Sequence, residues 1–285
     1  MTKFLIFLFL IFVLFSCASN ETQVNKNQVK NNIITSQLPD SIKQYQAIME
    51  GIWVLDDYIK ILESTKSPFK AAEILNGETS FSIDFDKIIG DSLEIPLNLG
   101  NHEGSSFNLY LKKGKLKNSF KTNLFDFAYK SGTLELCYEI TKKDTLLCFS
   151  SFDIQQKRIQ MQKFRRVLKV TNMNLSDGIA YVINKKIFEG KYKDLKTKKE
   201  YFFDIQGNTN FLGHNKYQGL EDFIGPDSFD AVYFSIGKKN FKDFGFTFVR
   251  DTLFLYNFKT EWDSLNNEAD NVGYDTIQYK LLKIN

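Results

Sequence analysis

The sequence predicts a mainly β fold: two tandem antiparallel barrel- or sandwich-like domains, each opened by a short helix. Three observations carry this. Apolar residues alternate at period two through several stretches, which places them on one face of a sheet. Aromatic residues make up 15% of the chain while Pro occurs only four times, a balance that favours long paired strands. Finally, Ile48-Met49-Glu50-Gly51-Ile52-Trp53 returns in pattern as Ile187-Phe188-Glu189-Gly190-Lys191-Tyr192, 139 positions later.

The chain opens with Lys3 and twelve unbroken apolar residues, Phe4 to Phe15, followed by Ser16 and Cys17. That run is short of the roughly 20 residues a membrane-spanning helix needs, and its basic start marks a removable export segment over residues 1–16. Leu14-Phe15-Ser16-Cys17 resembles the bacterial lipobox. The resemblance implies that Cys17 is acylated and becomes the mature N-terminus, with a membrane as partner through that lipid. Ala18 follows where some bacteria carry an Asp retention signal, so the outer membrane is the expected location. Residues 17–37 then read as the lipidated Cys and a flexible tether: from Ala18 to Gln37 there are five Asn and no Gly, Pro or aromatic residue. Such a segment cannot offset its own ordering entropy, and as a coil it spans about 25 Å.

The first β domain is expected over residues 38–168. Asp40 or Ser41 caps a helix carrying Ile42, Tyr45, Ile48 and Met49. After Trp53, the segment from Asp56 to Leu62 reads as a helix, and Ser67-Pro68 starts another that runs to Leu75. Strand faces follow at Phe81, Ile83 and Phe85; at Leu93, Ile95, Leu97 and Leu99; at Phe107, Leu109 and Leu111; and at Leu134, Leu136, Tyr138 and Ile140. Pro96 implies a sheet edge or bulge. Residues 169–176 are the expected linker. The second β domain, 177–285, opens with a helix capped by Ser176, and its strand faces are Tyr201, Phe203 and Ile205; Val232, Phe234 and Ile236; and Phe244, Phe246 and Phe248. Each copy ends alike, Ile159-Gln160-Met161-Gln162-Lys163-Phe164 in the first and Ile277-Gln278-Tyr279-Lys280-Leu281-Leu282 in the second.

A helical turn leading into Gly51-Ile52-Trp53 and an antiparallel meander resembles the opening of lipocalin-like barrels. That resemblance implies a Trp closing one barrel end, with a basic residue of the last strand packed on it, and Arg165 and Arg166 are the candidates. In the second copy Tyr192 stands for the Trp, with Lys280 or Lys283 as the cation. The helices after Trp53 depart from the family pattern; they either cover a barrel mouth or mark a different barrel.

Chemistry is sparse. The only histidines, His102 and His214, lie in separate polar stretches that read as exposed loops, with no second His or Cys at metal-ligand spacing. No Gly-x-Ser-x-Gly and no phosphate-binding loop occurs. Asp84 with Asp86, or Asp222 with Asp227, read as solvated positions rather than a glycosidase pair. The formal charge is +3, one unit of it on Lys3, and the densest basic run, Lys112 to Lys117, flanks Gly114 as a solvated hairpin turn. No nucleic-acid partner, metal or other cofactor is expected. Cys137 and Cys148 flank a turn; centred on Lys142-Lys143 it sets them face to face for a disulfide, whereas a three-residue loop leaves two free thiols.

Three function classes remain. One is a barrel holding a small apolar ligand, against the alternative that its rings fill a solid core. Another is a protein- or glycan-binding surface lipoprotein using aromatic loop residues Phe211, Tyr217, Phe223 and Phe229. The third, an envelope hydrolase, lacks a constellation. The sequence therefore favours a non-catalytic binding or scaffolding module whose ligand or envelope partner is unknown.

Overall fold

A computed structural model describes residues 40–100, 103–125, 132–142, 144–152, 155, 157–169, 178–223, 229–235, 238–263 and 268–284. The export segment, Cys17, the tether, His102, Ser176, and all of the expected linker but Lys169 lie outside the described residues. The architecture is mainly β, with two antiparallel sheets.

In the first half, helix α1 (Asp40–Met49) leads into β1 (Gly51–Leu55). Helices α2 (Asp56–Thr65) and α3 (Pro68–Ala72) come next, then β2 (Glu78–Ile83), β3 (Ser92–Leu99), β4 (Glu103–Lys113), β5 (Ser119–Phe125), β6 (Thr133–Ile140), β7 (Thr145–Phe152) and β8 (Arg158–Leu168). Each strand pairs with the next and β8 returns to β1, so the eight strands close. The β2–β3 ladder ends at Phe81↔Leu97, one residue short of Pro96, so its missing N–H is not required there. Phe81, Phe107, Phe149 and Phe164 come from β2, β4, β7 and β8 and meet across the interior, with ring centroids 4.9 to 6.2 Å apart. Such pairs add about 0.5–1.5 kcal/mol each beyond the area they bury.

The second half opens with α4 (Gly178–Ile183), continues through a π-helical turn, Asn184–Phe188, and enters β9 (Gly190–Asp194). It then forms β10 (Glu200–Phe203), β11 (Tyr217–Gly219), β12 (Ala231–Phe234), β13 (Lys242–Val249), β14 (Thr252–Asp263) and β15 (Glu268–Ile284). The meander order is the same, and β15 returns to β9. Only β10 and β11 fail to pair, leaving a nearly closed barrel of seven strands. Residues between them fill the gap. Thr209 bridges to Phe203 and Asn208 to Lys216, while the Thr209 hydroxyl donates to the Phe202 carbonyl at 2.7 Å.

The halves are in direct contact. Ile52 and Val54 are buried although they alternate with the inward Trp53, because α4 of the second half lies against β1. A Cβ on Gly178 would stand 2.6 Å from a Val54 methyl, so only Gly permits this approach. Helices α2 and α3 bridge to the second half as well. Lys186 forms an ion pair with Glu63 at 2.6 Å, and the Phe69 and Phe223 rings are 5.4 Å apart. The helices after Trp53 thus join the two barrels.

Candidate functional site

Both barrels are sealed at one end by the same local device. At the start of β1, Gly51 has φ 129°, and a Cβ there would meet the Leu168 carbonyl oxygen at 2.3 Å. Gly190 repeats this at the start of β9, with φ 149° and the Lys283 side chain 2.5 Å from a would-be Cβ. Both conformations favour Gly. Trp53 Nε1 donates to the Met49 carbonyl at 2.7 Å, and the Tyr192 hydroxyl donates to the Phe188 carbonyl at 2.8 Å, each reaching back four residues to the end of its opening helix. Above Trp53 sits the Arg166 guanidinium, 4.8 Å from the ring centroid and donating to the Ile48 carbonyl. Above Tyr192 sits Lys283, at 5.9 Å, donating to the Glu189 carbonyl.

Arg165, the neighbouring candidate, lies instead against Asp56, 2.6 Å from its carboxylate. The equivalence of the two terminal segments needs a one-residue correction. Trp53 pairs with Arg166 and Tyr192 with Lys283, so Phe164 corresponds to Leu281, not Leu282. Both Phe164 and Leu281 are fully buried, whereas Leu282 is 37% exposed. In a strand a slip of one exchanges the faces.

At the junction of the halves, Asp230 caps α3 from the second barrel. Its carboxylate accepts the Phe69 N–H at 2.8 Å and a hydrogen bond from the Ser67 hydroxyl. Burial raises its carboxyl above the ordinary Asp value, with these hydrogen bonds and Lys70 acting the other way. The Tyr274 hydroxyl accepts the Asp230 N–H and lies within hydrogen-bonding reach of the Asp230 and Phe246 carbonyls, fixing β15 to this loop. The Tyr274 ring covers Gly245, where a Cβ would stand 2.3 Å from it.

Beside this contact a cleft of about 420 Å³ opens in the wall of the second barrel, lined by Phe229, Tyr233, Lys242, Asp243, Asn257, Phe258, Val272 and Asp275. Its origin is in the ladder. The β13–β14 pairing begins at Gly245↔Tyr256, so the first residues of β13 have no counterpart on β14, which is irregular on both sides of Tyr256. A second groove, about 480 Å³, lies outside the first barrel among Leu55, Asp57, Lys60, Ile61, Ile74, Gln162 and Lys163. There Lys60 is engaged by Asp56 and Asp57, and Lys163 by Glu139.

Of the four aromatic loop candidates, two are not surface groups at all. Phe211 is fully buried, 5.0 Å from Tyr201 and Phe234 and 5.2 Å from Tyr279, and plugs the barrel where β10 and β11 fail to meet. Tyr217 is 4% exposed, its hydroxyl donating to the Asp204 carbonyl. Both are corrected to core residues. Phe223 packs on Phe69 at the junction, and Phe229, 4.8 Å from Phe258, lines the cleft.

His214 is also corrected, from exposed loop to buried: it is 8% exposed, with Nδ1 2.8 Å from the Ser235 hydroxyl, and desolvation lowers its pKa. Cys137 and Cys148 are direct cross-strand partners, both buried and not joined by a disulfide. Cys137 Sγ lies 3.2 Å from the Cys148 carbonyl oxygen, and a side-chain hydrogen bond with Cys137, ahead of burial, raises the Cys148 thiol.

Among the described residues no group of His, Cys, Asp and Glu is placed to hold a metal, and no helix is long and apolar enough to cross a membrane. The chain matches no protein-family model, no curated protein and no solved structure. The class defined is therefore a tandem antiparallel β-barrel protein, one barrel closed and the other nearly so.

Proposed function

We propose that this is a cell-envelope lipoprotein, held at the outer membrane through lipid on Cys17, whose folded part is a non-catalytic binding or scaffolding module working through its outer surface. The observation that carries this reading is the ring packing inside both barrels. Phe107 on β4 reaches Phe149 on β7 at 5.4 Å, and in the second barrel Phe203, Phe211, Tyr217 and Phe234 form one connected cluster. Rings in contact from wall to wall favour a solid core over a ligand chamber, and the two clefts described above lie on the walls. The Trp53–Arg166 and Tyr192–Lys283 contacts support reading each half as lipocalin-like.

Two measurements test this. Cys17→Ala should move the protein from the detergent-extracted membrane fraction to the soluble fraction; unchanged partitioning removes the anchor. Solvent extraction of purified native protein should release no bound lipid beyond that on Cys17, while cross-linking in intact envelopes should trap a discrete partner at the barrel walls. A stoichiometric apolar ligand that raises the melting temperature would restore the interior-binding alternative.

A further inference from the structure

The two clefts differ in how far their polar groups are committed. In the groove outside the first barrel, Lys60 and Lys163 are held by carboxylates at 2.8 and 2.9 Å. In the cleft of the second barrel, no side-chain hydrogen bond or ion pair among the described residues engages Asp243, Asn257 or the Lys242 ammonium. Lys242 lies against the Phe244 ring, 5.3 Å from its centroid, rather than against a carboxylate. Three polar groups thus line one hollow without a protein partner.

That hollow lies over the outer face of the sheet. Val232, Phe234 and Phe244 are buried, so their neighbours Tyr233 and Asp243, paired across β12 and β13, turn outward. Gly245 shares their face two residues on. A Cβ there would collide with the Tyr274 ring and stand 3.1 Å from the Phe258 ring, so both rings come down on this glycine from outside. Phe229 packs on the same two rings, 4.8 Å from Phe258 and 5.8 Å from Tyr274. Tyr233 is stacked with Phe241, which is 5.9 Å away and 47% exposed. Aromatic surface and uncommitted polar groups therefore share a space of about 420 Å³, within the roughly 300–1,000 Å³ of small-ligand sites.

We propose that this hollow binds an uncharged oligosaccharide. The proposal rests on the surface-binding reading above and names its ligand class. A sugar ring carries C–H groups on its faces and hydroxyls around its edge. Aromatic rings cover such faces through dispersion and weak C–H contacts. Carboxylates accept from hydroxyls in charge-assisted bonds, and an Asn amide both donates and accepts. An apolar ligand, or a polypeptide anchored by an apolar side chain, would strip water from Asp243, Asn257 and Lys242 and return no hydrogen bonds. With one Lys against Asp243 and Asp275, the lining gives an acidic polymer no net attraction.

The test uses the purified full chain, held in a detergent without a sugar headgroup, and fluorescently labelled hexasaccharides of glucose, galactose, mannose, xylose and N-acetylglucosamine. Saturable binding of at least one is expected. Asp243→Ala and Asn257→Ala, each checked for native circular dichroism, should weaken it at least tenfold, since neither side chain holds another in the fold. Lys60→Ala, in the groove of the first barrel, should leave it unchanged. Absence of saturable binding across the panel, or binding that Asp243→Ala and Asn257→Ala leave intact, would overturn the proposal. If no sugar binds and those two variants instead lose a protein cross-linked in intact envelopes, the hollow is a protein site: the sugar is excluded while the surface-binding reading stands.

Discussion

The two barrels share an opening and diverge after it. Each begins with a helix, a Gly at positive φ, an aromatic residue bonded back to that helix, and a cation from the last strand over the ring. After Trp53 the first barrel inserts α2 and α3, which carry Glu63 and Phe69 to the second half. After Tyr192 the second barrel runs through a short turn directly into β10. The first closes with eight strands; the second has seven, with a Phe plug at its seam and a cleft in its wall. The difference teaches that the shared opening holds a barrel together and leaves the remaining strands free to diverge.

The largest effect should come from the plug. Phe211→Ala removes a fully buried ring that touches Tyr201, Phe203, Phe234, Phe244 and Tyr279. A loss of about 3–5 kcal/mol is expected. Hydrogen exchange should show protection lost first in β10 and β11, with β1 to β8 still protected. If the two barrels lose protection together, they unfold as one cooperative unit and the contrast between them has no energetic content.

An intermediate effect separates the two closures. Arg166→Met removes a half-buried guanidinium from the Trp53 ring and leaves the Ile48 carbonyl without that donor, a cost of about 2–3 kcal/mol. Lys283→Met removes an exposed ammonium farther from its ring, at about 0.5–1 kcal/mol. Denaturant midpoints of the two variants should fall in that order. Equal losses would mean that the cation matters only as a helix-end hydrogen-bond donor, common to both.

Much of this closure is legible in the sequence, because it is local: the Glu-Gly-x-aromatic pattern reads directly, and the pairing cation needs only the last strand. The register of that last strand is not legible to one residue. Ile277 looks like a core residue, yet it is 44% exposed, since β14 and β15 shift register on both sides of its partner Tyr256; Leu282, paired with Thr252 before those shifts, is 37% exposed because it alternates with the buried Leu281. Bulges leave no signature in an alternating pattern. Phe211 is hidden for a related reason. It lies among Asn, Gly and His, which read as an exposed loop, but the loop replaces a missing strand and must bury its ring. The cleft is invisible in the sequence, since it lies where the β13–β14 ladder stops at Gly245↔Tyr256, between two segments that each read as good strands.

The smallest expected effect bears on the bridge between the barrels, and is read through pH. Burial raises the Asp230 carboxyl above its unfolded value, so between the two values the native state holds more protons than the unfolded chain. Stability contributed by this group is therefore complete below the unfolded value near 3.8 and is lost as pH rises through the raised native value. Asp230→Asn keeps an oxygen to accept the Phe69 N–H and removes the titration. Melting temperatures of the variant should vary less with pH across that window, and at neutral pH should equal or exceed those of the parent protein. A variant markedly less stable than the parent at neutral pH would show that Asp230 works as a charge at the start of α3. In that case electrostatic attraction, and not only the neutral hydrogen bonds of a buried cap, holds the two barrels together.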